Sequence, residues 1–196
     1  MEPSSGRTFQ SEDWYGRTIG AERFERCVFI DCDLTEVSTA GTVFDGCEFL
    51  GGRLNASVHR STRFATCTFR EVSMFDATFE HCKLSGSQFM GCALRPLTVV
   101  GGDWSLTSLF AADLREVSFD GVKLDEADFT DARLEKASFR GASLVQATLS
   151  RARLRGADLV GADAAGATLA GVDWRGVRID AALAVTVAES LGALVD

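Results

Sequence analysis

Three residue types that loops and active sites normally draw on are scarce: the 196 residues hold 2 prolines, 2 histidines and 1 tyrosine. A loop-rich enzyme uses more proline and more histidine. Positive charge is also in deficit, with 20 basic against 28 acidic side chains and a net charge of −8. That balance argues against a protein that grips nucleic-acid phosphates by bulk charge. No apolar run approaches the ~18 residues of a transmembrane helix. The first residues, Met1-Glu2-Pro3-Ser4-Ser5-Gly6-Arg7, lack the apolar core of a signal peptide, so a cytoplasmic protein is expected. With 46% apolar and 24% charged residues, disorder does not fit either. What remains is a single acidic domain long enough to bury a sizeable core.

What is abundant is arranged with a period of five. From Phe9 to Ile179, every position whose number ends in 4 or 9 is apolar in 33 of 35 cases, with Thr39 and His59 the exceptions. These positions hold 12 of the 14 phenylalanines and all three tryptophans. Two residues earlier, from Cys27 to Ala182, 31 of 32 positions carry Ala, Cys, Val, Ser, Thr or Gly, and Leu97 alone departs. A period of five is neither the 3.6 of a helix nor the 2 of an alternating strand. It describes a coil with a corner every five residues, one large and one small side chain per unit pointing inward. Like residues also recur every twenty, as in Phe9, Phe29, Phe49, Phe69 and Phe89. Four units per coil and stacking of like on like predict a quadrilateral β-solenoid of about 8–9 coils, a rod of about 40 Å at ~4.8 Å per strand.

The ends and one internal site break the pattern. Residues 1–26 read as a cap or first coil, because Arg7, Glu12, Arg17 and Glu22 stand where small residues are expected. The repeat fills 27–179. Over 180–196, Asp180 caps a short α-helix running to about Leu191 with Gly192 as its stop. Leu183, Val187, Leu191 and Leu194 form its apolar stripe, either covering the last coil or making a dimer contact. At Arg95-Pro96-Leu97, proline cannot donate to a ladder and leucine overfills a small slot. A kink or change of packing is expected near 95–97, where the inward residues also switch from Cys and Phe to Ala and Leu.

Catalytic and metal-binding motifs are missing. The cysteines (27, 32, 47, 67, 82 and 92) contain no C-x-x-C and all occupy small inward slots, which reads as structural burial rather than a metal site or disulfide. No nucleophile elbow, P-loop, dinucleotide fingerprint or zinc-protease motif occurs. A filled solenoid offers no interior substrate cavity. No enzyme, cofactor or metal is expected. Function then falls to the outer surface, where charge is uneven. Residues 101–135 carry nine acidic and three basic side chains, and 136–155 carry five basic and none acidic. Asp103, Asp113, Glu116, Asp120, Asp125, Glu126, Asp128 and Asp131 are candidates for an acidic surface that presents a phosphate-like potential to a basic groove.

Runs such as Ala127-Asp128-Phe129-Thr130-Asp131 and Ala157-Asp158-Leu159-Val160-Gly161 resemble the A-(D/N)-L-x-x consensus of the pentapeptide repeat proteins. The resemblance covers nearly the whole chain and implies a right-handed solenoid. It extends to the fluoroquinolone-resistance members of that family, among them the Qnr proteins, although the loops that interrupt many of those have no counterpart in this register. That likeness implies a dimeric DNA mimic, joined through its C-terminal helix, that binds DNA gyrase, competes with DNA and lessens quinolone action. It implies no direct nucleic-acid binding and no membrane. Two other readings remain open at this point: a self-immunity or scaffold protein for another basic partner, and a passive scaffold whose charges only keep it soluble.

Overall fold

Stacking at twenty-residue intervals is seen directly in the strand pairing. A computed structural model describes residues 4–195; Met1–Pro3 of the expected N-terminal cap lie outside the described residues. Phe9 pairs in parallel with Phe29, Phe29 with Phe49, Phe49 with Phe69 and Phe69 with Phe89. We number the sides of the square section in chain order. Face 1 holds Ser4–Ser5, Arg23–Glu25, Val43–Asp45 and Arg63–Ala65. Face 2 holds Thr8–Gln10, Val28–Ile30, Glu48–Leu50, Thr68–Arg70 and Gln88–Met90. Face 3 is a ladder of single bridges from Asp13 through Asp33, Arg53 and Ser73 to Ala93. Face 4 holds Thr18–Ile19, Ser38–Ala40, Val58–Arg60, Ala77–Glu80 and Leu97–Val100. Beyond Val100 the register continues as isolated bridges to Asp158↔Arg178, between eight and nine coils from the first pair Ser4↔Phe24.

The large inward residues fill the axis. Phe9, Phe29, Phe49, Phe69 and Phe89 stack with successive ring centroids 4.8, 4.7, 4.8 and 4.9 Å apart. Phe24, Phe44 and Phe64 form a second stack, set edge-on to the first. The spacing of the rings is the spacing of the strands, so the backbone ladder and the aromatic column hold one another in register.

The switch from Cys to Ala in the small slots has a hydrogen-bonding cause. In the strand coils the thiols lie against main-chain oxygens of the coil below: Cys47 donates to Phe24 O (3.3 Å), Cys67 to Phe44 O (3.5 Å) and Cys92 to Phe69 O (3.4 Å). Ser87 does the same to Phe64 O at 2.8 Å. In the later coils the large residue's carbonyl accepts from the amide three residues on, as in Ala127 N to Leu124 O and Ala137 N to Leu134 O. A side-chain donor is unnecessary there, and alanine suffices. Four of the six cysteines, Cys27, Cys47, Cys67 and Cys82, are fully covered, and Cys92 is half-buried.

The coils part on one side at the segment singled out by proline. The bridges Lys83↔Asp103 and Gln88↔Ser108 hold faces 1 and 2 together. Among the described residues, no backbone hydrogen bond joins 91–101 to 110–120. Leu97 is buried in a slot otherwise filled by small residues, and Pro96 has no N–H to give. Side chains span the opening instead: Arg95 reaches Asp113 at 3.7 Å and Glu116 at 3.9 Å. The register is unbroken across this seam, while the ladder is interrupted along faces 3 and 4.

After the last coil comes the helix, Ala181–Ser190. Asp180 caps it by accepting from Leu183 N at 2.9 Å and also accepts from Gly161 N at 2.7 Å, tying the helix to the coil it covers. Those two amides hold its carboxyl below the usual range. Leu183 is buried against the rod and Val187 half-buried. Leu191 is the C-cap and Leu194 lies beyond the helix, so the expected stripe divides into a covered and an open part. Leu191 and Leu194 are 72% and 96% exposed.

Candidate protein-binding surface

Outward positions on a five-residue corner repeat fall into columns twenty residues apart, so sequence neighbours land on different sides of the rod. The eight carboxylates read as a patch are therefore dispersed. Asp103, Asp125 and Glu126 are on face 1, Asp128 and Asp131 on face 2, Asp113 and Glu116 on face 3, and Asp120 on face 4, following the bridge columns.

Several are already engaged within the chain. Asp113 is bound by Arg115 at 2.6 Å, with Arg133 at 3.5 Å, and the Arg115 guanidinium holds its carboxyl below the usual range. Glu116 meets Lys136 at 3.5 Å, Asp125 meets Lys123 at 3.6 Å, and Asp131 meets Arg151 at 2.7 Å. Asp120 accepts from Ser138 Oγ and from Arg140 N. Asp103 accepts from Ser105 and stands in the ladder between Lys83 and Lys123. Surface ion pairs of this kind stabilise by about 0–1 kcal/mol each. Their larger effect is to cancel the local field.

Face 2 is different. Its outward columns bring Asp31, Glu48, Glu71, Asp128 and Asp131 together, against Arg70 and Arg151 as the basic residues. Of the five carboxylates only Asp131 is in an ion pair among the described residues. Asp128 accepts from Thr130 N at 2.9 Å, within its own turn. Faces 1, 3 and 4 come close to balance. Asp31, Glu48 and Glu71 were outside the sequence-derived set because they precede the acidic stretch. A charge count along columns of twenty, rather than along the chain, is the signal that finds them.

One column of the same face carries four apolar side chains, interrupted by Arg70 between Leu50 and Met90. Ile30 and Leu50 are half-buried, and Met90 and Phe110 are 45% and 54% exposed. Between the coils of Met90 and Phe110 lies an open groove of about 690 Å³, whose lining includes Cys92, Ala112 and Asp128. It sits where the ladder parts. Among the described residues there is no group of three or more His, Cys, Asp or Glu placed to hold a metal ion, and no helix long and apolar enough to cross a membrane.

His59, one of the two inward exceptions, is fully buried. Its Nδ1 is 2.8 Å from Thr39 Oγ1 and its Nε2 is 3.0 Å from Ser57 Oγ. Phe64 packs edge-on and Phe79 tilted against the ring. Burial drives its pKa down to about 3, so the imidazole is neutral at pH 7. It completes the core and is remote from the acidic face.

A square, parallel β-solenoid with a filled core and a charged outside defines a class of repeat protein. Residues 72–149 match the model described as "Pentapeptide repeat region" and residues 142–179 that described as "Pentapeptide repeats (8 copies)". The chain belongs to the pentapeptide repeat proteins. The pentapeptide repeat protein MfpA of Mycobacterium tuberculosis is 39% identical over 93 residues, 47% of this chain and 51% of that protein. The chain thus aligns with about half the length of this curated relative. Full-length QnrB1, a plasmid-mediated fluoroquinolone resistance protein, superposes with a TM-score of 0.79 over 98% of this chain and 100% of that one at 20% identity. A trypsin-treated QnrB1 variant gives 0.71 over 99% and 97% at 23% identity. At those identities the likeness to QnrB1 establishes the fold.

Proposed function

We propose that this chain is a non-catalytic binding protein that engages DNA gyrase, competes with DNA for a basic surface of that enzyme, lowers its supercoiling activity and protects it from fluoroquinolones. The observation that carries this reading is the row of carboxylates on face 2 of a stiff rod. Asp31 to Asp131 spans five coils, about 24 Å at ~4.8 Å per coil. Five carboxylates over that length are about one per 5 Å, thinner than the one charge per ~3.4 Å of a single DNA strand. The field is enough to steer a basic groove onto the rod. It is too sparse to replace a duplex by charge alone. The resemblance of the repeat to the fluoroquinolone-resistance pentapeptide proteins, together with kinship to MfpA, favours gyrase over another basic partner.

The test is side-specific. Glu48→Lys, Glu71→Lys and Asp128→Lys together are expected to raise the concentration needed to inhibit supercoiling by at least tenfold. Asp103→Lys with Asp125→Lys, on face 1, is expected to change it less than threefold. Equal losses from both sets would mean that net charge matters and face 2 does not. Binding of a different basic protein, with gyrase unaffected, would replace the partner.

The open end of the C-terminal segment supports a second element of the same reading, a homodimer joined there through Leu191 and Leu194, with Leu183 and Val187 fastening the helix to each rod. A chain ending at Ile179 is expected to sediment as a monomer. Should it remain dimeric at the mass of the full chain's dimer, the interface lies elsewhere.

A further inference from the structure

Charge alone leaves the affinity for a basic partner modest, and the seam between the coils of Met90 and Phe110 offers what charge lacks. We propose that this groove is an anchor site that takes one apolar side chain from an extended, basic segment of a partner protein, a proposal that rests on the basic-partner reading above.

Three features of the seam lead there. The groove exists because the ladder opens: residues 91–101 make no backbone hydrogen bond to 110–120, and Cys92 and Ala112 are left only partly buried, while Val72 and Ala132 above and below them in the same column are covered. The corner column is bare at this height. It runs Glu71, Gly91, Ala111, Asp131, so the two central members have no side chain, or only a methyl, to close the notch. Phe110 and Met90 stand beside it, exposed, on a face whose outer rows are otherwise mostly polar. Exposed large apolar groups at a rimmed notch are the usual anchors of recognition surfaces.

The rim states the partner's charge. Glu71 and Asp128 lie one coil to either side of the notch, and neither is in an ion pair among the described residues. Glu71 is exposed beside the notch, its Cγ 3.6 Å from where a side chain at Gly91 would begin. Three coils separate the two carboxylates, about 14 Å along the rod. An extended peptide advances ~3.3 Å per residue, so cations four residues apart span about 13 Å with an apolar residue midway. The segment that fits is therefore basic–x–apolar–x–basic, lying along the axis. A helix would need about nine residues for the same span and would set its anchor off the line.

Cys92 supplies the readout, since it is the half-buried thiol and it lines the groove. Alkylation of native protein by iodoacetamide, mapped by mass spectrometry, is measured with three capped probe peptides: Arg-Ala-Phe-Ala-Arg, Arg-Ala-Ala-Ala-Arg and Glu-Ala-Phe-Ala-Glu. The first is expected to slow modification of Cys92 at least fivefold and the other two less than twofold. Phe110→Ser with Met90→Ser should abolish the protection, and Glu71→Gln with Asp128→Asn should reduce it, at unchanged melting temperature. No protection by the first peptide, or equal protection by either control, overturns the proposal. Protection that grows with the protein's own concentration, lost in Phe110→Ser together with a dimer, makes a second copy the occupant and also overturns it. In a parallel supercoiling assay, Phe110→Ser should weaken inhibition of gyrase about tenfold. Inhibition equal to wild type removes the groove from the gyrase contact and overturns the proposal while leaving gyrase as partner. If wild type leaves gyrase unaffected yet peptide protection holds, the gyrase reading fails and the anchor stands for another basic protein.

Discussion

Between pH 7 and pH 5 the protein is expected to lose about 2 kcal/mol of stability through His59 alone. The ring is neutral in the folded state, with its pKa held near 3 by burial, whereas in the unfolded chain it titrates near 6.5. Between those values the unfolded state binds more protons, so stability rises with pH across that window and is lost as pH falls through it. Below about pH 3 both states are protonated and the contribution levels off. In a chain of this size 2 kcal/mol moves the melting temperature by about 4–8 °C. His59→Phe separates this effect from the carboxylates that titrate at lower pH. Phenylalanine is the residue at 79 in the same column, and Thr39 and Ser57 keep other partners, Thr62 Oγ1 at 2.6 Å and Leu54 O at 2.7 Å. The variant's melting temperature should be nearly flat from pH 7 to 5. Parallel pH profiles for the two proteins would show that the buried imidazole is not the acid-sensitive group.

The second large effect is expected at Phe64. Its ring is fully covered, stacked on Phe44 at 4.9 Å and edge-packed against Phe49, Phe69 and Phe79. Phe64→Ala should cost about 3–5 kcal/mol, the transfer of a large side chain plus the cavity left behind. Coils contact only their neighbours, so the hole cannot be filled from elsewhere and the loss stays local. Phe64→Leu, with the side chain used at 84, 124 and 144 of the same column, should cost about 1–2 kcal/mol. Urea unfolding monitored by circular dichroism measures both. A loss below 1 kcal/mol for the alanine variant would show that the aromatic column is not the main source of the rod's stability.

Both predictions rest on features that a single sequence discloses well. A strict period fixes which residues point inward, and that is why the placement of Phe64, Leu97 and His59 is legible in the sequence alone. The Asp180 cap and the Gly192 stop were legible for the same reason, each being a local rule with its own residue type. The number of coils followed from the twenty-residue spacing, which the pairing of Ser4 with Phe24 through Asp158 with Arg178 reproduces.

Properties that join residues far apart in the chain were harder to read. Asp125 and Asp128 are three apart in sequence but stand on adjacent faces, and Glu71 and Asp131 are sixty apart but share a column. A stretch of acidic sequence therefore dissolved into four faces, with Asp113, Asp125, Glu116 and Asp131 paired to Arg115, Lys123, Lys136 and Arg151. The acidic row on face 2 emerged from columns instead. The role of Cys47, Cys67 and Cys92 as donors to the coil below was likewise hidden, because a small-residue slot says nothing about which carbonyl lies opposite. The seam was half visible. Pro96 and Leu97 mark the place, but the groove beside Phe110 is a consequence of two coils failing to bond.

The proposed engagement of gyrase by one acidic, apolar-anchored face of this rod, in the place of DNA, has a direct consequence for supercoiling. It is tested most directly by titrating the purified full chain into a gyrase supercoiling assay at two DNA concentrations, beside the protein carrying Glu48→Lys, Glu71→Lys and Asp128→Lys. Inhibition by wild type that weakens as DNA is raised, and that the face 2 variant largely loses while keeping its melting temperature, is the predicted result. Supercoiling unchanged by wild type, or inhibition indifferent to both DNA concentration and the face 2 charges, would contradict it.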